Sequence, residues 1–142
     1  NVIHVVRNPF NAISSILFTE NIHPASLNFR RKQIEIKESG LEAAISSYIG
    51  WNKMIEGQNP DIRVKVEDAS IGLKEYLEDN KLLKANFSKQ DFEMPKKVNS
   101  REHNNVSIGQ YNEVSRELLV ELVHIANRYG YEIPEGLDLT PD

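Results

Sequence analysis

The chain has 142 residues, 39% of them hydrophobic and 27% charged, which is room for one globular domain and not the composition of a disordered chain. A net charge of −4 argues against a protein that coats nucleic acid, and leaves open a small anion held by two or three local cations. The absence of cysteine excludes disulfides, thiolate zinc sites and cysteine nucleophiles, and no run of about 18 apolar residues is present to cross a membrane.

Residues 2–6, Val-Ile-His-Val-Val, read as a short buried strand, with His4 a packed strand residue. The chain opens on this strand at Asn1 without a Met, so further sequence, with any leader or anchor, is expected upstream. Arg7-Asn8-Pro9 follows: Asn8 suits an N-cap and Pro9 the first helical position, where its missing N–H has no partner in any case. The spacing predicts a helix from Pro9 to Thr19, with Phe10, Ile13 and Leu17 on one face. Residues 20–38 read as polar and irregular; their charged patch, Arg30 to Lys37, is either a solvated face or mobile loop, or an acceptor-facing loop.

Leu41, Ala44, Ile45, Tyr48, Ile49 and Ile55 recur at helical spacing, with Gly57 as C-cap and Trp51 a core or interface anchor. From Asp61 to Glu67 the alternation of Ile62, Val64 and Val66 with Arg63, Lys65 and Glu67 predicts a strand with one face more buried. Glu67 and Asp68 read as structural groups capping the next turn, a catalytic acid pair being the other reading. A helix is predicted over 73–83, on Leu73, Tyr76, Leu77 and Leu83. Residues 86–110 show no periodicity. The last helix is marked by Val114, Leu118, Leu122, Ile125 and Tyr129 and stopped by Gly130, and the tail from Ile133 reads as loose. Strands separated by helical stretches imply an α/β fold with a parallel sheet flanked by helices, and two strands alone make a poor sheet.

In open α/β sheets ligands bind beyond the carboxyl ends of the strands. Arg7 stands there, the only cation at the mouth of the first strand, and the helix starting at Pro9 points its free N–H groups the same way. Arginine offers a fork of donors matching phosphate oxygens. Ser15 lies about two turns into the helix, while Ser14 points about 100° away from it. Residue types alone equally allow Arg7 to pair with a carboxylate and Ser15 to pack quietly. Of the other histidines, His124 reads as packed in the last helix, and His23 and His103 as loop residues with no nameable partner.

The segment Val5-Val6-Arg7-Asn8-Pro9-Phe10-Asn11-Ala12-Ile13-Ser14-Ser15 resembles the part of sulfotransferases that binds the 3′-phosphate of 3′-phosphoadenosine 5′-phosphosulfate. In that family an arginine ends a strand, Asn-Pro or Asp-Pro follows, and a serine comes eight residues after the arginine, as Ser15 does after Arg7. Asn11 departs from the family's usual Asp. More loosely, Trp51 followed by Val64-Lys65-Val66-Glu67-Asp68 resembles the family's tryptophan helix and its strand ending in Tyr-Glu-Asp-Leu, and Tyr129-Gly130-Tyr131 resembles its closing Leu-Gly-Tyr. Lys96-Lys97-Val98-Asn99 with Arg101 occupies the place of the late loop that folds over the donor, and is similar to the Lys-Pro-Val-Asn of protein-tyrosine sulfotransferases; a solvated basic loop is the other reading.

The resemblance implies a three-layer, P-loop NTPase-like sulfotransferase fold, of which residues 1–142 would be the C-terminal part. It implies transfer of a sulfuryl group from 3′-phosphoadenosine 5′-phosphosulfate to an acceptor hydroxyl or amine on a small molecule, glycan or protein, with donor contacts at Arg7, Ser15, Lys96 and Arg101 and no metal. The family's Gly-rich phosphosulfate loop and general base have no counterpart here, the seven glycines being scattered, so no catalytic residue is assigned. An inactive sulfotransferase-like binding module and another P-loop transferase, such as a nucleotide kinase, are the alternatives. Sequons at Asn86 and Asn105 permit a Golgi lumen and the lack of cysteine permits cytosol, which leaves the compartment open.

Overall fold

The computed structural model describes residues 2–37, 39–82 and 104–140. Lys96, Arg101, His103, the sequon at Asn86 and the expected helix end at Leu83 lie outside them. The fold is α/β, mostly helical, with a two-stranded parallel sheet of β1 (Ile3–Val6) and β2 (Ile62–Lys65) in the register Ile3↔Ile62, His4↔Arg63, Val5↔Val64 and Val6↔Lys65. Reciprocal bonds between Val2 and Asp61, N to Oδ2 at 2.7 Å and O to N at 2.9 Å, lengthen the pairing by one residue.

Alternation along β1 sends His4 and Val6 to the buried face. His4 is fully buried and packed, as expected, because its Nε2 meets Asn52 Oδ1 at 2.9 Å and its ring meets Tyr129 edge-on at 5.5 Å. Val5 corrects the expectation of a strand buried throughout: it is 47% exposed, although its partner Val64 is covered. The cover comes from Gly72, whose missing side chain allows close approach, since a Cβ there would stand 2.9 Å from Val64 Cγ1.

Asn8 caps α1 (Pro9–Ser15) as predicted, accepting from the N–H groups of Phe10 at 3.0 Å and Asn11 at 3.4 Å. The helix then continues as a π turn, Ile16–Glu20. The irregular stretch expected over 20–38 contains a helix, α2 (Pro24–Arg31), led by Pro24. The charged patch is solvated at Arg31, Lys32, Glu35 and Lys37, but Arg30 departs from that reading: it is 9% exposed and donates to Ser47 Oγ at 2.8 Å and Asn21 Oδ1 at 2.7 Å. Polar anchoring of this kind leaves no apolar periodicity to read.

Helix α3 (Gly40–Glu56) buries Ala43, Ala44, Ile45, Tyr48 and Ile49, and Asn52 braces it by donating to Tyr48 O at 2.8 Å. Gly57 follows it as expected, but in helical conformation (φ −63°); the left-handed residue of the turn is Asn59 (φ 50°). Strand β2 stops at Lys65, two residues short of the expected end, and Val66–Asp68 form a 3₁₀ turn. Helix α4 (Ala69–Asp79) therefore starts four residues before the predicted Leu73. Asp68 makes no side-chain cap bond and Glu67 accepts from Tyr131, so neither acid caps the turn.

A short helix unforeseen in the sequence, α5 (Ile108–Asn112), begins in a capping box between Ser107 and Gln110. Helix α6 (Arg116–Arg128) buries Leu118, Leu119, Leu122, Val123, Ile125 and Ala126. His124 is exposed, contrary to expectation, since it lies off that stripe. The tail is not loose: Asn112 donates to Gly136 O at 3.0 Å and accepts from Asp138 N at 2.9 Å, and Arg116 donates to Asp138 O at 2.6 Å. The core joins Val6, Ile13, Ile45, Tyr48, Leu122 and Ile125, so α1, α3 and α6 close around β1.

Candidate anion site at the mouth of the strands

Arg7 is the first residue beyond β1, at the carboxyl end of a parallel strand. Its side chain is exposed, and among the described residues no hydrogen bond or ion pair engages the guanidinium. The backbone around it is held firmly. Tyr48, from α3, donates its hydroxyl to Arg7 O at 2.8 Å. Tyr131, beyond α6, places its hydroxyl 3.2 Å from Val6 O and 2.8 Å from Glu67 Oε2. One phenolic proton faces two acceptors there, and the shorter contact is to the carboxylate.

Burial raises the pKa of both phenols above the ordinary tyrosine value, and Tyr131 is raised further by its bond to Glu67. Both therefore stay protonated donors at neutral pH. The Arg7 charge acts the other way on Tyr131, favouring its phenolate. Lys65, the last residue of β2, donates to Gly130 O at 2.6 Å and sits 4.7 Å over the Tyr131 ring. The second cation of the mouth is thus engaged with the chain end of α6, while Arg7 is not.

The two serines of α1 differ as their angular separation predicts. Ser14 is buried, donating to Phe10 O at 3.0 Å and accepting from Val106 N at 3.0 Å. Ser15 is half-buried, with its hydroxyl 3.5 Å from Thr19 Oγ1. Ser15 stands about 9 Å along the helix axis from Pro9, at 1.5 Å per residue, and among the described residues no hydrogen bond joins it to Arg7. Lys96 and Arg101 are outside the described residues. Among the described residues no cluster of His, Asp or Glu could hold a metal.

Tyr48, Lys65, Glu67 and Tyr131 were not assigned to the site from the sequence. Tyr48 falls within the apolar helical pattern of α3, and Tyr131 stands far from Arg7 in the chain; only folding brings them to its backbone. No protein-family model, characterised protein or solved structure matches the chain.

Proposed function

We propose that this chain is the donor-gripping part of a sulfotransferase with a P-loop-like fold, with Arg7 binding the 3′-phosphate of 3′-phosphoadenosine 5′-phosphosulfate. The observation that carries the reading is the exposed Arg7 guanidinium, without a partner among the described residues, at the carboxyl end of a parallel strand and directly before an Asn-capped, Pro-led helix. A phosphate there would accept the guanidinium fork and lie at the positive dipole end of α1, whose first N–H groups are already engaged by the Asn8 side chain. Ser15, part-exposed on the same helix, adds a hydroxyl.

Lys96 and Arg101 are assigned supporting contacts with the same phosphate.

In the proposed reaction an acceptor oxygen or nitrogen attacks the sulfur and gives its proton to a general base not assigned among these residues, the bond from sulfur to the bridging phosphate oxygen breaks, and adenosine 3′,5′-bisphosphate leaves. The acceptor is a small molecule, glycan or protein. Arg7 and Ser15 hold the far end of the donor and touch none of the reacting atoms. Calorimetric titration of adenosine 3′,5′-bisphosphate, with ADP as control, tests the reading. Binding of the bisphosphate alone supports it. Equal binding of both points to a P-loop nucleotide enzyme of another kind, and binding of neither to an interaction module.

A further inference from the structure

We infer that Tyr48 and Tyr131 are positioning residues for Arg7, fixing the peptide units on either side of it so that its guanidinium is aimed while it is still unoccupied. The inference rests on the anion-binding reading of Arg7. An exposed arginine in water samples many rotamers, and ordering it on binding costs free energy that weakens its grip. That cost falls if the backbone carrying the side chain is already immobile.

The two hydroxyls serve that end from opposite directions in the chain. Tyr48 OH binds Arg7 O at 2.8 Å from α3, and Tyr131 OH meets Val6 O at 3.2 Å from beyond α6. The carbonyls before and after the Arg7 Cα thus each have a side-chain hydroxyl. The ordinary role of such tyrosines is to fill core volume, and Tyr48 is indeed buried. Tyr131 is not in the core; it is part-exposed, and it reaches the strand only because the end of α6 is built to turn it back.

That turn has three parts. Gly130 adopts φ +69°. The Tyr131 N–H bonds Ala126 O at 3.0 Å and the Gly130 N–H bonds Asn127 O at 2.9 Å, a Schellman closure. Lys65 then ties Gly130 O to the end of β2 and covers the Tyr131 ring, while Glu67 takes the larger share of the hydroxyl proton. Residues from the ends of both strands and of the last helix therefore converge on the two peptides that flank Arg7, whose side chain has no partner among the described residues.

The test uses the full protein with Tyr48→Phe and Tyr131→Phe, each alone and each combined with Arg7→Ala; the phenyl ring keeps the packing and only the hydroxyl is lost. Adenosine 3′,5′-bisphosphate affinity should fall roughly three- to tenfold for each single change, the scale of one hydrogen bond, and the loss should vanish when Arg7 is already Ala. A loss of the same size with and without Arg7, or no loss at all, overturns the inference, since packing alone would not couple to Arg7. The ¹⁵N order parameter of the Arg7 amide in the unliganded protein is the second readout and should drop in both variants. If wild-type protein fails to bind the bisphosphate, the sulfotransferase reading falls; an order parameter that still drops retains the pinning of Arg7, and one that stays unchanged ends that as well.

Discussion

Ser14 and Ser15 are neighbours in sequence with opposite prospects. Ser14 satisfies two backbone groups at once, one within α1 and one at Val106. Replacing it with Ala strands the Val106 N–H in a buried place and should cost about 1–3 kcal/mol of stability in urea unfolding, with bisphosphate affinity nearly unchanged. Ser15→Ala should do the reverse, costing about 0.5–1.5 kcal/mol of donor affinity and little stability. Arg7→Ala should weaken donor binding by about 1.5–3 kcal/mol, the range of a hydrogen bond to a charged group. An Arg7→Ala protein that binds adenosine 3′,5′-bisphosphate as tightly as wild type would remove the functional proposal. The candidate residue Arg7 was legible because three local signals coincide in its segment: an apolar strand, an Asn cap and a first-turn proline. Its supports were not, because a hydroxyl bond to a backbone carbonyl leaves no trace in residue spacing.

At the scale of elements, α3 and α6 were readable because their energy comes from an apolar stripe, the one feature a period of 3.6 reveals. Helix α2 was not, since it is held by a buried arginine whose acceptors, Ser47 and Asn21, lie on other segments. A charge counted as solvated in the sequence is buried against polar acceptors in the fold. The early stop of β2 has a similar origin: the alternation runs on through Glu67, but the chain leaves the sheet at Val66 and Glu67 joins Tyr131. The end of α6 gives a direct test. Gly130→Ala would force a side chain into the left-handed region and bring a Cβ within 3.4 Å of Lys65 Nζ. The expected cost is about 1–2 kcal/mol, visible as a lower unfolding temperature, together with a weaker bisphosphate affinity because Tyr131 would lose its approach to Val6. A Gly130→Ala protein of unchanged stability would show that the turn tolerates another geometry.

Across the whole molecule the tyrosines tie the fold to pH. Tyr48, Tyr111, Tyr129 and Tyr131 all have raised pKa values in the folded chain, burial being the largest cause for each, against an ordinary value of 10.0. Below about pH 10 folded and unfolded chains both hold these protons, and the stability they contribute is fully present. Above it the unfolded chain releases protons that the folded chain retains, so stability falls as pH rises. Unfolding midpoints should therefore decline steeply above about pH 10, and Tyr111→Phe should flatten that decline by removing one such group. An unchanged slope in Tyr111→Phe would show that its phenol ionises alike in both states.

The sequence by itself determined what short-range physics controls: the α/β class, the parallel pairing implied by helices between the strands, the capped start of α1, the apolar faces of α3 and α6, and the arginine at the strand mouth. The elements are written in local patterns, as a period, a cap or a turn, and the class and the pairing follow from their order along the chain. Tertiary structure alone decided the rest. It brought Tyr48 and Tyr131 to the carbonyls beside Arg7, buried Arg30 among polar acceptors, spent Ser14 on Val106 and tied the tail to Asn112. These are contacts between residues distant in the chain or without periodic signature, and their energies come from hydrogen-bond geometry that exists only once the chain has closed on itself.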